Sequence, residues 1–262
     1  MKNKLKQEKL PEKQLPAAIE KQLPAAIEKQ LPAAIKKQGR GFEGGVDRED
    51  LILPRAVLLQ ALSPQIGEVD GLKAGMVINN ITNEVLPEKF IPIFRYVEFL
   101  KFNPRDSKSP EYDPAFEPGA LIWRTNDPAD PRTAECRFSE DGSKPRAIKT
   151  MNFLCYFPYV PMPIVLGFSK TSYKAGKKLI SLAQFSGDDM FSKTYALKVK
   201  QADKDGIKYY ILDVAPIGKA NKEDFAIAEA WYEQFRGKEL KTHEEGPQGE
   251  ESGQPQEEAR PY

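Results

Sequence analysis

The apolar positions fall into two regimes. Up to about residue 50 they recur sparsely among lysines, glutamates and prolines, and from Leu51 onward they gather into runs with strand or helix periodicity. LILPRAVLLQALSP (51–64) predicts a short strand and then a helix-like turn. KAGMVINNITNEVLP (73–87) predicts two short strands around Asn79 and Asn80, or one strand meeting a Thr-Asn-Glu turn. KFIPIFRYVEFLKF (89–102) is the clearest strand, aromatic and β-branched, and its proline predicts an edge or a bulge. Residues 103–147 are rich in Pro, Asp, Ser and Gly and predict a long irregular insertion. MPIVLGFS (162–169) reads as a buried strand. SKTSYKAGKKLISLAQF (169–185) reads as a helix capped by Ser169 or Thr171, with Leu179, Ile180, Leu182 and Ala183 as its apolar face. KTYALKVKQADKDGIKYYILDVAPIG (193–218) has the form of a β-hairpin turning at Asp-Lys-Asp-Gly. KEDFAIAEAWYEQFRG (222–237) predicts a last helix, its acidic first turn matched to the dipole and Gly237 ending it.

Strands, then a helix, a hairpin and a terminal helix give a mainly β fold with flanking helices. The expected form is an OB-fold-like five-stranded barrel over residues 46–237, with a long insertion and disordered ends. Residues 1–45 are a basic arm and linker. The unit EKQLPAAI recurs without change at 12–19, 20–27 and 28–35, each copy interrupted by a proline (Pro16, Pro24, Pro32). This arm reads as a semi-rigid linker or an interaction arm. Residues 238–262 read as a disordered acidic tail that ends on Tyr262.

Charge sharpens that division. Residues 1–38 hold nine Lys and four Glu, a net of +5, while residues 239–262 hold seven Glu against Lys241 and Arg260, a net of −5. The centre is left at +1, which argues against a bulk polycation but allows a local basic groove. Two cysteines, Cys136 and Cys155, and the lone His243 cannot supply a four-ligand zinc site, and no cofactor is expected. The sequence lacks a P-loop, GxSxG, HExxH and GxGxxG, so a non-enzymatic role is expected. No apolar run approaches the roughly 18 residues of a membrane span, and no signal peptide is apparent. The expected location is the cytoplasm.

What remains is the mixture that single-strand binding uses, aromatic faces for bases and Lys or Arg for phosphates. In 89–102, Ile91, Ile93, Arg95, Val97, Phe99 and Lys101 share one face, which sets Phe99 between Arg95 and Lys101. Phe90, Phe94, Tyr96, Leu100 and Phe102 share the other, the better core. At the helix start, Lys170, Tyr173, Lys174, Lys177 and Lys178 come together, with Lys170, Lys174 and Lys177 on one side. In the hairpin, Lys198, Lys200, Lys208 and Tyr210 are expected on one surface while Tyr195, Leu197, Val199 and Ile211 face inward. Trp123, Arg124, Arg137 and Phe138 could clamp a strand from the insertion.

The chain resembles the single-stranded-DNA-binding proteins of tailed bacteriophages. An OB-like centre, a helix and an acidic tail ending in an aromatic residue carry the resemblance, together with LILPRAVLLQALSPQI, LKAGMVINNITNEVL and SKTSYKAGKKLISLAQF. It implies coating of ssDNA in replication, recombination and annealing, and often a dimer. It also implies a tail, here Glu244, Glu245, Glu250, Glu251, Glu257, Glu258 and Tyr262, that occupies the groove and recruits polymerase and helicase-primase. The family's tail is denser in acid and usually ends in Phe. Two other readings stand beside this one: a structural or assembly protein of the virion docking through the arm, and a magnesium-dependent nuclease using Asp188 and Asp189.

Overall fold

In the computed structural model the described residues are 52–140, 142–204, 206–237 and 240; the repeat arm and all of the acidic tail except Leu240 lie outside them. The strand-like runs become β1 (Arg55–Leu58), β2 (Val77–Asn79), β3 (Lys89–Phe102), β4 (Leu121–Thr125), β5 (Ile148–Tyr156), β6 (Ile164–Phe168), β7 (Lys193–Lys204) and β8 (Ile207–Lys219). The helices are the single turn α1 (Gln65–Glu68), α2 (Tyr173–Gln184) and α3 (Lys222–Phe235).

All eight strands form one mixed sheet in the order β2-β1-β6-β5-β3-β7-β8, with β4 added on β3. Only β1 and β6 are parallel, Arg55 opposite Val165 and Ala56 opposite Leu166. The fold is mainly β with flanking helices, as expected. Its eight strands exceed the five anticipated, and the ladder does not close, since β2 and β8 stand at its two ends. Side chains bridge that gap. The Gln60 amide, just past β1, donates from Nε2 to the Tyr210 carbonyl at 2.9 Å and accepts from the Tyr210 N–H at 2.9 Å, doing what a neighbouring strand would do for β8. The Leu212 N–H donates to the Ser172 hydroxyl at 3.1 Å. Gly75 has φ +89, and a Cβ there would stand 2.8 Å from the Tyr210 ring, so only glycine admits this approach.

Two apolar clusters lie on opposite faces of the curled sheet. The inner one gathers Phe90, Phe153, Cys155, Leu166, Phe168, Tyr195, Leu197, Leu212 and Val214 with Leu179 of α2. The outer one sets Phe225, Ile227, Ala228, Trp231 and Tyr232 of α3 against Ile91, Ile93, Phe94, Leu154 and Val165, and Leu240 is buried there too. Asn221 caps α3 by accepting from the Asp224 N–H at 2.7 Å, and Asp224 pairs with Lys89 at 2.8 Å.

The proline in β3 does mark a bulge, and the bulge corrects the expected faces. Pairing with β5 shifts between Pro92 and Phe94, so Ile93 is the extra residue. Ile91 therefore faces outward with Phe94 and Tyr96, while Arg95, Val97 and Phe99 share the inner side, opposite Phe153, Met151 and Lys149. Ile211 is also corrected. Val199 opposes Leu212 and Leu197 opposes Val214, so Leu212 and Val214 face inward and Ile211 turns outward beside Lys200. The insertion is less irregular than its composition predicts. It contains β4 and a 3-10 turn at Pro131–Cys136, and the buried Asn103 amide organises it by donating to the carbonyls of Asp113 (2.9 Å) and Phe116 (2.8 Å). Among the described residues no helix is long and apolar enough to cross a membrane.

Candidate nucleic-acid interface

The chain leaves β6 at Phe168 and enters α2 through a 3-10 turn, Lys170–Ser172. Lys170 opens that turn at φ 43, a left-handed conformation that costs a residue with a Cβ about 1 kcal/mol or more. Neither Ser169 nor Thr171 caps α2. Ser172 stands at the N-cap, but its hydroxyl is committed to β8 and makes no cap bond. The first turn holds no acid, Lys174 is exposed in it, and Lys177 is exposed one residue beyond it. Lysines near a helix N-terminus oppose the macrodipole, each at a cost of a few tenths to about 1 kcal/mol. The Lys177 ammonium sits 5.4 Å from the centroid of the Tyr173 ring.

The β5–β6 ladder adds a lysine that sequence reasoning missed. Met151 opposes Phe168, the last residue of β6, and Lys149 lies two residues before Met151 in β5, exposed at the end of the strand next to which the chain turns into α2. Lys149 opposes Phe99 of β3 and holds its ammonium 5.5 Å from that ring's centroid. Phe99 is only 6% exposed. Its ring is therefore a seat for the Lys149 cation and is not an open stacking face. Arg95 is exposed on the same side of β3, opposite Phe153. Arg95, Phe99, Lys149, Lys170, Tyr173, Lys174 and Lys177 thus lie on one side of the sheet and at the start of the helix packed against it, where Gly176 meets Met151 and Phe168.

Other sequence candidates lie elsewhere. Lys178 and Lys200 converge on Asp213 at 3.0 and 2.5 Å, and Lys198 pairs with Glu88 at 3.1 Å. The Lys200 and Lys178 ammoniums pull the Asp213 carboxyl down to about 2. Lys208 and Tyr210 alternate away from Lys198 and Lys200, so the expected four-residue surface is split between the two faces of the hairpin. Lys101 pairs with Glu135 at 2.6 Å, and Trp123 lies beneath the Arg132 guanidinium, 5.2 Å from centroid to Cζ. Phe138 and Arg137 are exposed in the insertion. Asp188 and Asp189 are exposed in the turn that follows Gly187, φ +71. The residues 244–262 assigned to partner binding lie outside the described residues.

A second group was invisible in the sequence. On the outer face, where the α3 cluster ends, Glu98 is fully buried and accepts from Arg124 and from the Asn152 amide. Arg55 lies 3.7 Å from Glu98 and donates to Asn152 Oδ1 at 3.2 Å. Arg124, expected to clamp a strand, is instead anchored here. The signals for these residues were weak. Glu98 is the one acid inside an aromatic strand, and Asn152 and Lys149 flank an apolar run.

A family model described as Pam3 phage gp34-like protein matches residues 24–241 of the chain. No curated protein and no solved structure matches it.

Proposed function

The chain belongs to the Pam3 phage gp34-like family, and on that premise we propose that it is a non-enzymatic single-stranded-DNA-binding protein of phage replication and recombination. The observation that carries this reading is the cationic side formed by Lys149, Lys170, Lys174, Lys177 and Arg95, with aromatic rings beneath two of its ammoniums. Binding a flexible strand without reading its sequence needs cations for phosphates and π faces beside them. Here Tyr173 is half-buried under Lys177, and its ring is the aromatic face that a base can reach. Exposed Lys174 and Lys177, with no acid in the first turn of α2, favour an anion there. The tail, net −5 over residues 239–262, competes for the same cations when DNA is absent and engages replication partners when DNA displaces it.

The test is fluorescence anisotropy of a labelled poly-dT oligonucleotide with the full chain and with a 1–238 truncation, at low and moderate salt. Tight, salt-sensitive binding that strengthens on truncation is expected. Absence of binding by both forms overturns the proposal and moves a virion-assembly role to the front. Truncation that weakens binding at low salt overturns the competing-tail part.

A further inference from the structure

We infer that Tyr159 is a base-stacking residue for a single strand, at the far end of a binding path that runs from Lys149 past Arg95 along the β3–β5 ladder. The inference rests on the strand-binding reading above and extends its footprint to the opposite end of the sheet.

Residues 157–160 form a tight turn between β5 and β6, closed by the Val160 N–H on the Phe157 carbonyl at 3.0 Å, with Pro158 at its second position. Tyr159 takes the third position at φ 71, a left-handed conformation that such a turn normally gives to glycine or asparagine. A bulky residue at positive φ is strained and persists only where its surroundings hold it. Here they do. Phe157 is fully buried and stacks on Phe90 with centroids 5.8 Å apart, and Pro158 and Pro163 are buried. The Tyr156 hydroxyl interacts with both the Tyr159 backbone and the Asp224 carboxylate, which ties the turn to the start of α3. The strained residue contributes almost no packing in return, since Tyr159 is 82% exposed.

An aromatic ring fixed in water before any ligand arrives is what sequence-tolerant stacking on a base requires. A protein anchor would sit within a contiguous apolar patch, whereas Phe157, Pro158 and Pro163 beside this ring are buried. Asp224, the acid that Tyr156 meets, is paired with Lys89 at 2.8 Å and sets no lone negative charge against a phosphate.

The ladder supplies the path. Lys149 opposes Phe99, Arg95 opposes Phe153 and Ile91 opposes Tyr156, so the cationic end, Arg95 and the end that carries Tyr159 follow one another along β3 and β5. From Lys149 to Tyr156 the strand covers about 23 Å, and Tyr159 lies in the turn beyond. Arg95, midway, is exposed and makes no ion pair among the described residues, so it supplies the phosphate contact between the two ends.

The test is anisotropy of a labelled poly-dT oligonucleotide with the full chain as wild type, Tyr159→Gly, Tyr159→Phe and Arg95→Ala, beside urea unfolding of each. Tyr159→Gly relieves the strained φ, so its urea midpoint is expected to be no lower than that of wild type, while its affinity for dT falls on the order of tenfold at an unchanged salt slope. Tyr159→Phe keeps the ring and binds like wild type. Arg95→Ala lowers the slope of log K against log salt by roughly 0.7. A strand carrying iododeoxyuridine photocrosslinks to Tyr159 in wild type. Wild-type binding that Tyr159→Gly leaves unchanged overturns the stacking role and leaves the strand reading standing, and so does a wild-type crosslink map without Tyr159. A loss of affinity that Tyr159→Phe shares, or that comes with a lower urea midpoint in Tyr159→Gly, also overturns it. Absence of dT binding by wild type removes the strand reading and this inference with it.

Discussion

Replacing Gln60 with alanine tests how the two ends of the open sheet are tied together. The two hydrogen bonds between the Gln60 amide and the Tyr210 backbone, both 2.9 Å, tie the end of β1 to the edge of β8, which no strand covers among the described residues. A net hydrogen bond of this kind contributes about 1 kcal/mol. Tyr210 is half-buried, so its freed N–H and carbonyl turn partly to water and no full desolvation penalty is added. The expected loss is about 2 kcal/mol, which for a domain of this size lowers Tm by roughly 4–8 °C. Urea unfolding measures it as a drop in midpoint at unchanged slope. Hydrogen exchange locates it, because the Tyr210 amide loses protection before the amides of β5. Gln60→Glu separates hydrogen bonding from packing. It keeps the acceptor for the Tyr210 N–H but sets a carboxylate against the Tyr210 carbonyl, so it costs at least as much as alanine. A loss below about 0.5 kcal/mol with Tyr210 protection unchanged would refute side-chain closure and leave the inner core as the sole restraint.

The remaining predictions concern charge and thiols. Asp213 titrates at about 2 in the folded chain against an ordinary value of about 3.9, so its ion pairs stabilise above that ordinary value and are lost as pH falls toward 2. Asp213→Asn is therefore less stable than wild type at neutral pH, by a small margin because Lys178 and Lys200 are about half exposed, and urea midpoints of the two should converge as pH drops from 4 toward 2. Substituting Lys170, Lys174 and Lys177 together by alanine should reduce the slope of log K against log salt for oligo-dT by about 2, since each single-strand phosphate contact contributes roughly 0.7. An unchanged slope would place the strand elsewhere. Cys136 is partly exposed while Cys155 is wholly buried, its thiol pushed well above the ordinary range by desolvation. Thiol titration of native protein should therefore count one fast cysteine, and two after denaturation.

Much of this fold was legible because its local signals agree with its global ones. The hairpin, the last helix with its acidic first turn, and the bulge at the β3 proline each follow from residue chemistry within a dozen positions. β5 did not stand out. It lies at the centre of the sheet, buried on both faces from Thr150 onward, so it has no alternation to read, and it follows directly on a polar insertion. β4 was hidden inside that insertion, since a five-residue edge strand takes its identity from pairing with β3 rather than from its own composition. The interface was half legible. The lysine spacing on α2 is local, but the position of Lys149 over Phe99 depends on the pairing of β5 with β3, strands far apart in sequence. The Glu98 network joins residues from four strands, so no window of sequence contains it.

Which lysines can hold phosphate is decided by pairing, and lysine density alone does not reveal it. The hairpin is as rich in lysine as the start of α2, yet Lys198 answers Glu88, and Lys200 shares Asp213 with Lys178. Those contacts fasten the hairpin to β3's approach and to α2, and a phosphate would have to displace a carboxylate to use them. Lys149 and Lys177 rest on aromatic rings instead, which hold an ammonium in place without neutralising it. An incoming phosphate then releases counterions rather than breaking an ion pair, so the same number of lysines gives tighter and more salt-sensitive binding. A chain with a formal net charge of +1 can present a cationic side by this means alone. The acidic tail fits the same logic. A tail carboxylate has to displace a fixed carboxylate at Asp213 and Glu88 but not at Lys174 and Lys177, which are exposed, with Lys177 resting on Tyr173, so losing the tail should strengthen binding at α2 and leave the Asp213 and Glu88 pairs untouched.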